Sequence, residues 1–233
     1  MANIAAKANN NSIKTSSITE IIFILDRSGS MSGLEDDTIG GYNSFLDKQK
    51  QENSNAVIST VLFNTNISIL HNRLDINNIA HLTSHDYQTG GCTALLDAIG
   101  GSIKHIHKLH KNMPEYEIPN KTICVIITDG YENSSKNYTY EKIKKMIDKR
   151  QTKDNWEFVF LGANIDAVRE AAKLGINKNH AIDYKCDSQG TRLNFQMMNE
   201  AVCCFMEYPD EDFEDIIQEK RAMIDEYIKK TEE

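Results

Sequence analysis

Several features that define common protein classes are scarce in this sequence. It has only three prolines in 233 residues, and its five cysteines are odd in number and never spaced as C-x-x-C. That cysteine pattern favours neither a disulfide framework nor a zinc site. No stretch approaches the roughly 18 consecutive apolar residues that a membrane-spanning helix needs. Neither a small disulfide-stapled scaffold nor a membrane-spanning chain is therefore expected.

Basic residues are also in deficit, since 26 Lys and Arg face 34 Asp and Glu, for a formal net charge of −8. A nucleic-acid or anionic-membrane partner requires a concentrated basic surface, so the sequence argues against both. Residues 1–17 are rich in Asn, Ser, Ala and Lys and contain no apolar core of signal-peptide length. We expect them to form a flexible leader on a cytoplasmic protein.

Against this background, residues 20–32 are the most informative stretch. The apolar run 21–25 is typical of a strand that is buried on both faces of a parallel sheet. It ends abruptly at Asp26, and Ser28 and Ser30 follow at alternate positions. Ligands bind at the carboxyl ends of strands in open α/β sheets, and oxygen ligands suit a hard cation. The alternative is a Ser/Gly turn in which Asp26 caps the next helix.

Two later stretches continue this pattern. Thr93 follows a pair of glycines, Gly90 and Gly91, at the start of a predicted helix. A second apolar run, 123–127, ends in Thr128 and Asp129, which places another carboxylate at the end of a buried strand. Carboxylates and hydroxyls thus recur at predicted strand and helix ends, where a cation could bind.

Asp26, Ser28, Ser30, Thr93 and Asp129 together resemble the metal-ion-dependent adhesion site of von Willebrand factor A (VWA) domains, in a chain of the intracellular bacterial or phage type. The resemblance covers about residues 19–185. It implies a Rossmann-like α/β fold with a doubly wound, mostly parallel sheet and one antiparallel edge strand. It also implies that the serines bind the ion directly, that the threonine binds directly or through water, and that the aspartates orient ligands or waters.

The function implied by the resemblance is metal-dependent protein binding without catalysis. The ion would be Mg²⁺, with Mn²⁺ or Ca²⁺ as alternatives, and an Asp or Glu of the partner would complete its coordination. Tyr131, Gly91 and Met31 are expected to form the partner-binding rim. A second interpretation is an accessory subunit of a separate ATPase, of the chelatase type or in a stress-resistance assembly.

Enzyme motifs are incomplete. An aspartyl-phosphate-forming phosphatase has a second Asp two residues after the first, where this chain has Ser28, and a serine-hydrolase G-x-S-x-G elbow fails at Met31. The phosphate-binding motif G-x-x-x-x-G-K-[ST] is absent from the sequence. Metal-assisted hydrolysis is therefore the remaining enzymatic alternative.

Strand and helix patterns alternate along the rest of the chain and predict three parts: a leader at 1–17, the VWA domain at 18–190 and a C-terminal helical extension at 191–233. Strands are predicted at 19–25, 56–63, 67–70, 121–127, 156–161 and 180–184, and helices at 35–52, 94–111, 139–151 and 165–174. The extension is strongly acidic, and apolar residues recur in it at helical spacing. It either packs on its own domain or serves as a partner or self-association helix through 210–230.

Three further side chains invite a functional interpretation. His107 and His110 share one face of the helix that follows Thr93, and we interpret that face as solvated and basic because no third metal ligand accompanies them. Cys92 is expected to be an exposed thiol beside Thr93, without an evident base to make it a nucleophile.

Overall fold

A computed structural model describes residues 18–52, 55–163 and 165–184, together with 195, 199 and 202. Within these ranges, strands and helices alternate along the chain. The strands are β1 Thr19–Asp26, β2 Ala56–Phe63, β3 Ile67–Asp75, β4 Lys121–Thr128, β5 Trp156–Ala163 and β6 Ala181–Tyr184. The helices are α1 Glu35–Gln51, α2 Leu95–Lys111, α3 Tyr140–Asp154 and α4 Ala167–Leu174.

The strands form one six-stranded sheet in the order β3-β2-β1-β4-β5-β6. Strand β3 is antiparallel to β2, and the other pairs are parallel. The fold class predicted from the sequence, a mostly parallel α/β sheet with one antiparallel edge strand, is confirmed. The chain leaves β1 toward one edge of the sheet and leaves β4 toward the other. The point between β1 and β4 is therefore the switch point, where open α/β sheets bind ligands.

Each face of the sheet carries its own hydrophobic core because successive side chains of a strand point to opposite faces. Phe23 of β1 packs with Tyr42 and Phe45 of α1 in one cluster. Ile22 lies on the other face, in a cluster that includes Ile99 of α2 and residues of α3 and α4. Central strand β1 is thus buried on both sides, which explains its unbroken apolar run.

Helix ends follow ordinary local chemistry. Thr139 caps α3 by accepting a hydrogen bond from the backbone N–H of Lys142, and Asp166 caps α4 in the same way through Arg169. Gly175 ends α4 in the left-handed conformation, with φ of 82°. Asp26 caps no helix, since residue 34 occupies the N-cap position of α1.

Strand β3 is the element whose extent differs most from the prediction, which ended it at residue 70. It continues to Asp75 through a polar stretch that includes His71 and Arg73. The sequence pattern missed this part of the strand because β3 is an edge strand whose residues are largely exposed, so polar side chains are tolerated there. The pairing with β2 is irregular near Thr60, and Arg73 has φ of 51°.

The predicted leader 1–17 lies outside the described residues. So does the extension 191–233, except for Phe195, Asn199 and Val202. Phe195 and Val202 join the core on the α1 face, and Gly41 of α1 leaves the space that the Phe195 ring fills. Among the described helices, none combines the length and apolarity needed to cross a membrane.

Candidate functional site

The two carboxylates predicted as site residues lie at the ends of neighbouring strands. Asp26 is the last residue of β1, and Asp129 directly follows β4, which pairs with β1. Both side chains are buried. Parallel pairing of two strands that each end in a carboxylate therefore brings both acids to the switch point of the sheet.

Hydrogen bonds connect the two serines to these carboxylates. The Ser30 hydroxyl donates to Oδ1 of Asp129 over 2.6 Å, and the hydroxyls of Ser28 and Ser30 are 3.1 Å apart. The backbone N–H of Ser28 donates to Oδ1 of Asp26 over 2.7 Å. Four of the five predicted residues thus form one continuous chain of polar contacts.

Thr93 reaches the same point from a third loop. A Cβ built on Gly130 would lie 3.0 Å from Oγ1 of Thr93 and 3.4 Å from Oγ of Ser30, so both hydroxyls face this glycine. The Thr93 loop is tied to the serine loop by a backbone hydrogen bond from Gly29 to Gly91 of 3.0 Å. The structure therefore brings all five predicted residues together.

Two residues that the sequence did not single out hold Asp26. The Thr128 hydroxyl donates to Oδ2 of Asp26 over 2.6 Å, and the Tyr87 hydroxyl donates to the backbone carbonyl of Asp26. Both partners are buried. Only the position of Thr128, directly before Asp129 at a strand end, hinted at its role. The distant Tyr87 gave no sequence signal.

The electrostatics of Asp26 favour a cation. Burial raises the pKa of Asp26 to about 6, although hydrogen bonds from Thr128 and Ser28 lower that pKa and the nearby Asp129 raises it further. Two carboxylates in one buried place repel each other, and a cation between them offsets both the repulsion and the cost of burial.

A second loop fixes the start of helix α2 and with it Thr93. The backbone N–H of Thr93 donates to the side chain of Asn133 over 2.8 Å, and the N–H of Asn133 returns a bond of 3.0 Å to the Thr93 carbonyl. Glu132 accepts from the N–H of Leu96 over 2.8 Å. These contacts satisfy N–H groups that a helix start otherwise leaves unpaired. They also couple Thr93 to the loop that carries Asp129.

The three predicted rim residues have different positions. Tyr131, two residues after Asp129, is 53% exposed, and Gly91 is exposed with φ of 82°, a conformation that favours glycine. Met31 is only 1% exposed and packs in the core on the α1 face. The assignment of Met31 to the rim was wrong, because the short 3-10 turn at 29–31 directs this side chain inward.

The donor set consists of oxygen atoms alone, from two carboxylates and three hydroxyls. This chemistry suits Mg²⁺, Mn²⁺ or Ca²⁺ and does not suit zinc or copper. Within the described ranges, no group of three or more His, Cys, Asp or Glu side chains is arranged to hold a metal. The hydroxyls are therefore the side-chain oxygens that could join the two carboxylates in a cation site at this edge.

The basic-face interpretation of α2 is half correct. His107 is partly exposed, but His110 is buried and lies 2.6 Å from Oε2 of Glu20, which also accepts a 2.9 Å bond from Arg73. This buried cluster is at the amino end of β1, far along the strand from Asp26. Helical periodicity alone did not reveal that His110 faces a buried acid.

Cys92 is exposed, as predicted.

Comparison with known proteins gives structural likeness alone. No family model matches the sequence, and no curated protein matches it. Proximal thread matrix protein 1 from the mussel byssus superposes with a TM-score of 0.55 at 13% identity, covering 80% of this chain and 46% of that one. The PilB minor pilin from Streptococcus sanguinis gives 0.54 at 12%, covering 82% and 63%. Its D319A mutant gives 0.59 at 12%, covering 85% and 65%.

This chain therefore spans less than two thirds of the length of each of these structures. At such low identity, the likeness extends to the fold and no further. An α/β sheet of this kind accommodates many unrelated activities, so any function must be argued from the site itself.

Proposed function

We propose that this chain is a VWA-type module that binds a protein partner through a divalent cation. Asp26, Ser28, Ser30, Thr93 and Asp129 would hold the ion. The observation that carries the proposal is the 2.6 Å hydrogen bond from Ser30 to Asp129, which joins the loop after β1 to the loop after β4. Mg²⁺ is the preferred ion, with Mn²⁺ or Ca²⁺ as alternatives.

The donor types support protein binding through an incomplete coordination shell. Mg²⁺ takes six oxygen ligands and usually keeps several waters. Hydroxyls from Ser28, Ser30 and Thr93 are neutral, so they supply oxygen without cancelling the charge of the ion. When bound, the ion would supply a positive charge, and an incoming carboxylate could coordinate the ion. An Asp or Glu of the partner is the ligand that this chemistry favours.

The partners of the serine hydroxyls also fit a binding role. Ser30 donates to Asp129, and the hydroxyl of Ser28 lies beside that of Ser30. In the proposed role, Asp129 orients the Ser30 hydroxyl so that its oxygen can contact the ion.

The proposed setting is the cytoplasm. Cys92 is exposed and unpaired, and Cys124 is buried and unpaired. Free thiols of this kind persist in a reducing compartment. Whether the chain acts alone or as a subunit that assists a separate ATPase depends on its partner.

The test combines metal binding with partner capture. We expect calorimetry to detect one Mg²⁺ site in the full chain, and we expect capture from lysate to yield a protein that is retained in Mg²⁺ and lost in EDTA. Asp129→Asn should lose both properties. Asp148→Asn, a substitution of an exposed carboxylate on α3, is the matched control and should keep both. Metal binding that is unchanged in Asp129→Asn contradicts the proposal.

A further inference from the structure

Arg27, the residue between Asp26 and Ser28, has a position that the metal site does not explain. Its backbone is fixed on both sides, because its N–H donates to the Phe63 carbonyl over 2.7 Å and its carbonyl accepts from Gly90 over 2.9 Å. Arg27 therefore lies at the same carboxyl edge of the sheet as Asp26, over the end of the β2–β3 hairpin.

The described part of the protein provides few hydrogen-bond acceptors for the guanidinium of Arg27. Its Nη2 atom donates to the Ser68 hydroxyl over 3.3 Å, which is a long hydrogen bond, and its buried Nε has no hydrogen-bond partner. Within the described ranges, no carboxylate forms an ion pair with Arg27. Guanidinium groups bind carboxylates with two parallel hydrogen bonds, a geometry that a serine hydroxyl cannot provide.

The other acids at this edge are engaged elsewhere. Glu35 accepts hydrogen bonds from the Thr89 hydroxyl and the Gly33 N–H, and Glu132 accepts from the start of α2. A bound dication would balance the charges of Asp26 and Asp129. Arg27, which follows Asp26 directly in the chain, then remains as a positive group without a carboxylate partner among the described residues, on a chain whose formal net charge is −8.

We infer that Arg27 is a second anion contact and that the partner presents two acidic groups, one for the cation and one for Arg27. This inference rests on the proposed function. A negatively charged chain repels an acidic partner at long range, so a second local positive group is needed to favour a doubly acidic segment. The backbone hydrogen bonds of Arg27 keep the residue at the edge of the sheet that carries Asp26.

The probes are synthetic peptides with one Asp, or with two Asp separated by zero to four glycines, tested against the full chain in Mg²⁺ and in EDTA. We expect at least one two-acid peptide to bind about twofold to fivefold more tightly than the one-acid peptide in Mg²⁺, an effect of the size measured for exposed ion pairs. Arg27→Gln should remove this preference, Arg27→Lys should restore part of it, and Lys145→Gln on α3 should leave it unchanged.

The outcomes separate the two proposals. Equal binding of one-acid and two-acid peptides, or a preference that persists in Arg27→Gln, overturns the role of Arg27 and leaves the metal-dependent site intact. Calorimetric Mg²⁺ binding that disappears in Asp129→Asn but persists in Arg27→Gln shows that Arg27 does not act on the ion. A two-acid preference that is lost in the same Arg27→Gln variant then supports its contact with the partner. Failure of every peptide to bind in Mg²⁺ contradicts the proposed function, and the role of Arg27 falls with it.

Discussion

Ser30 donates a 2.6 Å hydrogen bond to Asp129, a residue 99 positions later in the chain. The contact joins the loop after β1 to the loop after β4 at the switch point of the sheet. The contact gathers hydroxyl and carboxylate oxygens from two distant loops at one point. A ligand that binds oxygens held in this way loses less conformational entropy than one that must order the loops itself.

Magnesium should stabilise the folded chain. An ion that binds only the native state adds RT ln(1 + [L]/Kd) to the free energy of unfolding, about 2.7 kcal/mol at a concentration 100 times Kd. We expect the melting temperature to rise with Mg²⁺ and to fall with EDTA, measured by circular dichroism. Asp129→Asn should abolish the shift, and Asp148→Asn should retain it. A melting curve that responds to neither Mg²⁺ nor EDTA would contradict the metal site.

Thr128 should be a positioning residue for Asp26. Thr128→Val keeps the shape but removes the donor to Oδ2 of this buried carboxylate. We expect the free energy of unfolding in EDTA to fall by about 1–3 kcal/mol, the usual cost of leaving a buried acceptor unpaired. Because the lost hydrogen bond lowers the pKa of Asp26, that pKa should rise further above its ordinary value.

Two measurements distinguish this positioning role from general destabilisation. Calorimetry should show weaker Mg²⁺ affinity in Thr128→Val at neutral pH, and Thr128→Ser, which restores the hydroxyl, should recover most of it. Equal Mg²⁺ affinity in the Val and Ser variants would show that Thr128 serves only the core.

Glu132 should control Thr93 through the start of helix α2. Its carboxylate accepts from the N–H of Leu96 and from the N–H and hydroxyl of Ser135. Glu132→Ala removes these acceptors, and we expect a loss of about 1 kcal/mol in the free energy of unfolding, as for the loss of a helix cap. Mg²⁺ affinity should also fall in calorimetry.

The control for this prediction is Glu141→Ala. Glu141 lies in the first turn of α3, and its ion pair with Lys145 is solvent-exposed. Exposed pairs of this kind contribute little to stability. A Glu141→Ala variant that weakens Mg²⁺ as much as Glu132→Ala would show that the effect is not specific to the Thr93 loop.

Tyr131 should affect the partner and not the ion. Its side chain is exposed two residues after Asp129 and belongs to the expected rim. Tyr131→Ala should weaken retention of the captured partner while the Mg²⁺-induced rise in melting temperature stays unchanged. Tyr116→Ala, at another exposed tyrosine, is the matched control and should do neither. Undiminished capture by Tyr131→Ala would remove Tyr131 from the rim.

The two described cysteines should differ in reactivity. Cys92 is exposed, whereas burial raises the pKa of the Cys124 thiol well above its ordinary value. Iodoacetamide should modify Cys92 in the folded protein and Cys124 only after unfolding, because the thiolate is the reactive form. Peptide mapping by mass spectrometry identifies the modified positions. Equal labelling of both cysteines in the native protein would contradict the packing of β4.

The sequence determined the fold class and predicted the five residues that the structure gathers at one edge of the sheet. Apolar runs that end in Asp26 and Asp129 are local signals, because a strand buried on both faces needs apolar side chains at every position. Once the strands are parallel, their carboxyl ends share one edge of the sheet. The convergence of two distant acids therefore followed from patterns that are visible in short stretches of the chain.

Only the tertiary structure decided which side chains contact that site and which are buried elsewhere. The hydroxyls of Thr128 and Tyr87 hold Asp26, Met31 turns into the core, and His110 meets a buried acid. None of these contacts follows from helical or strand periodicity. Periodicity gives the face on which a residue lies, whereas the partner of that residue depends on which elements the fold packs against that face.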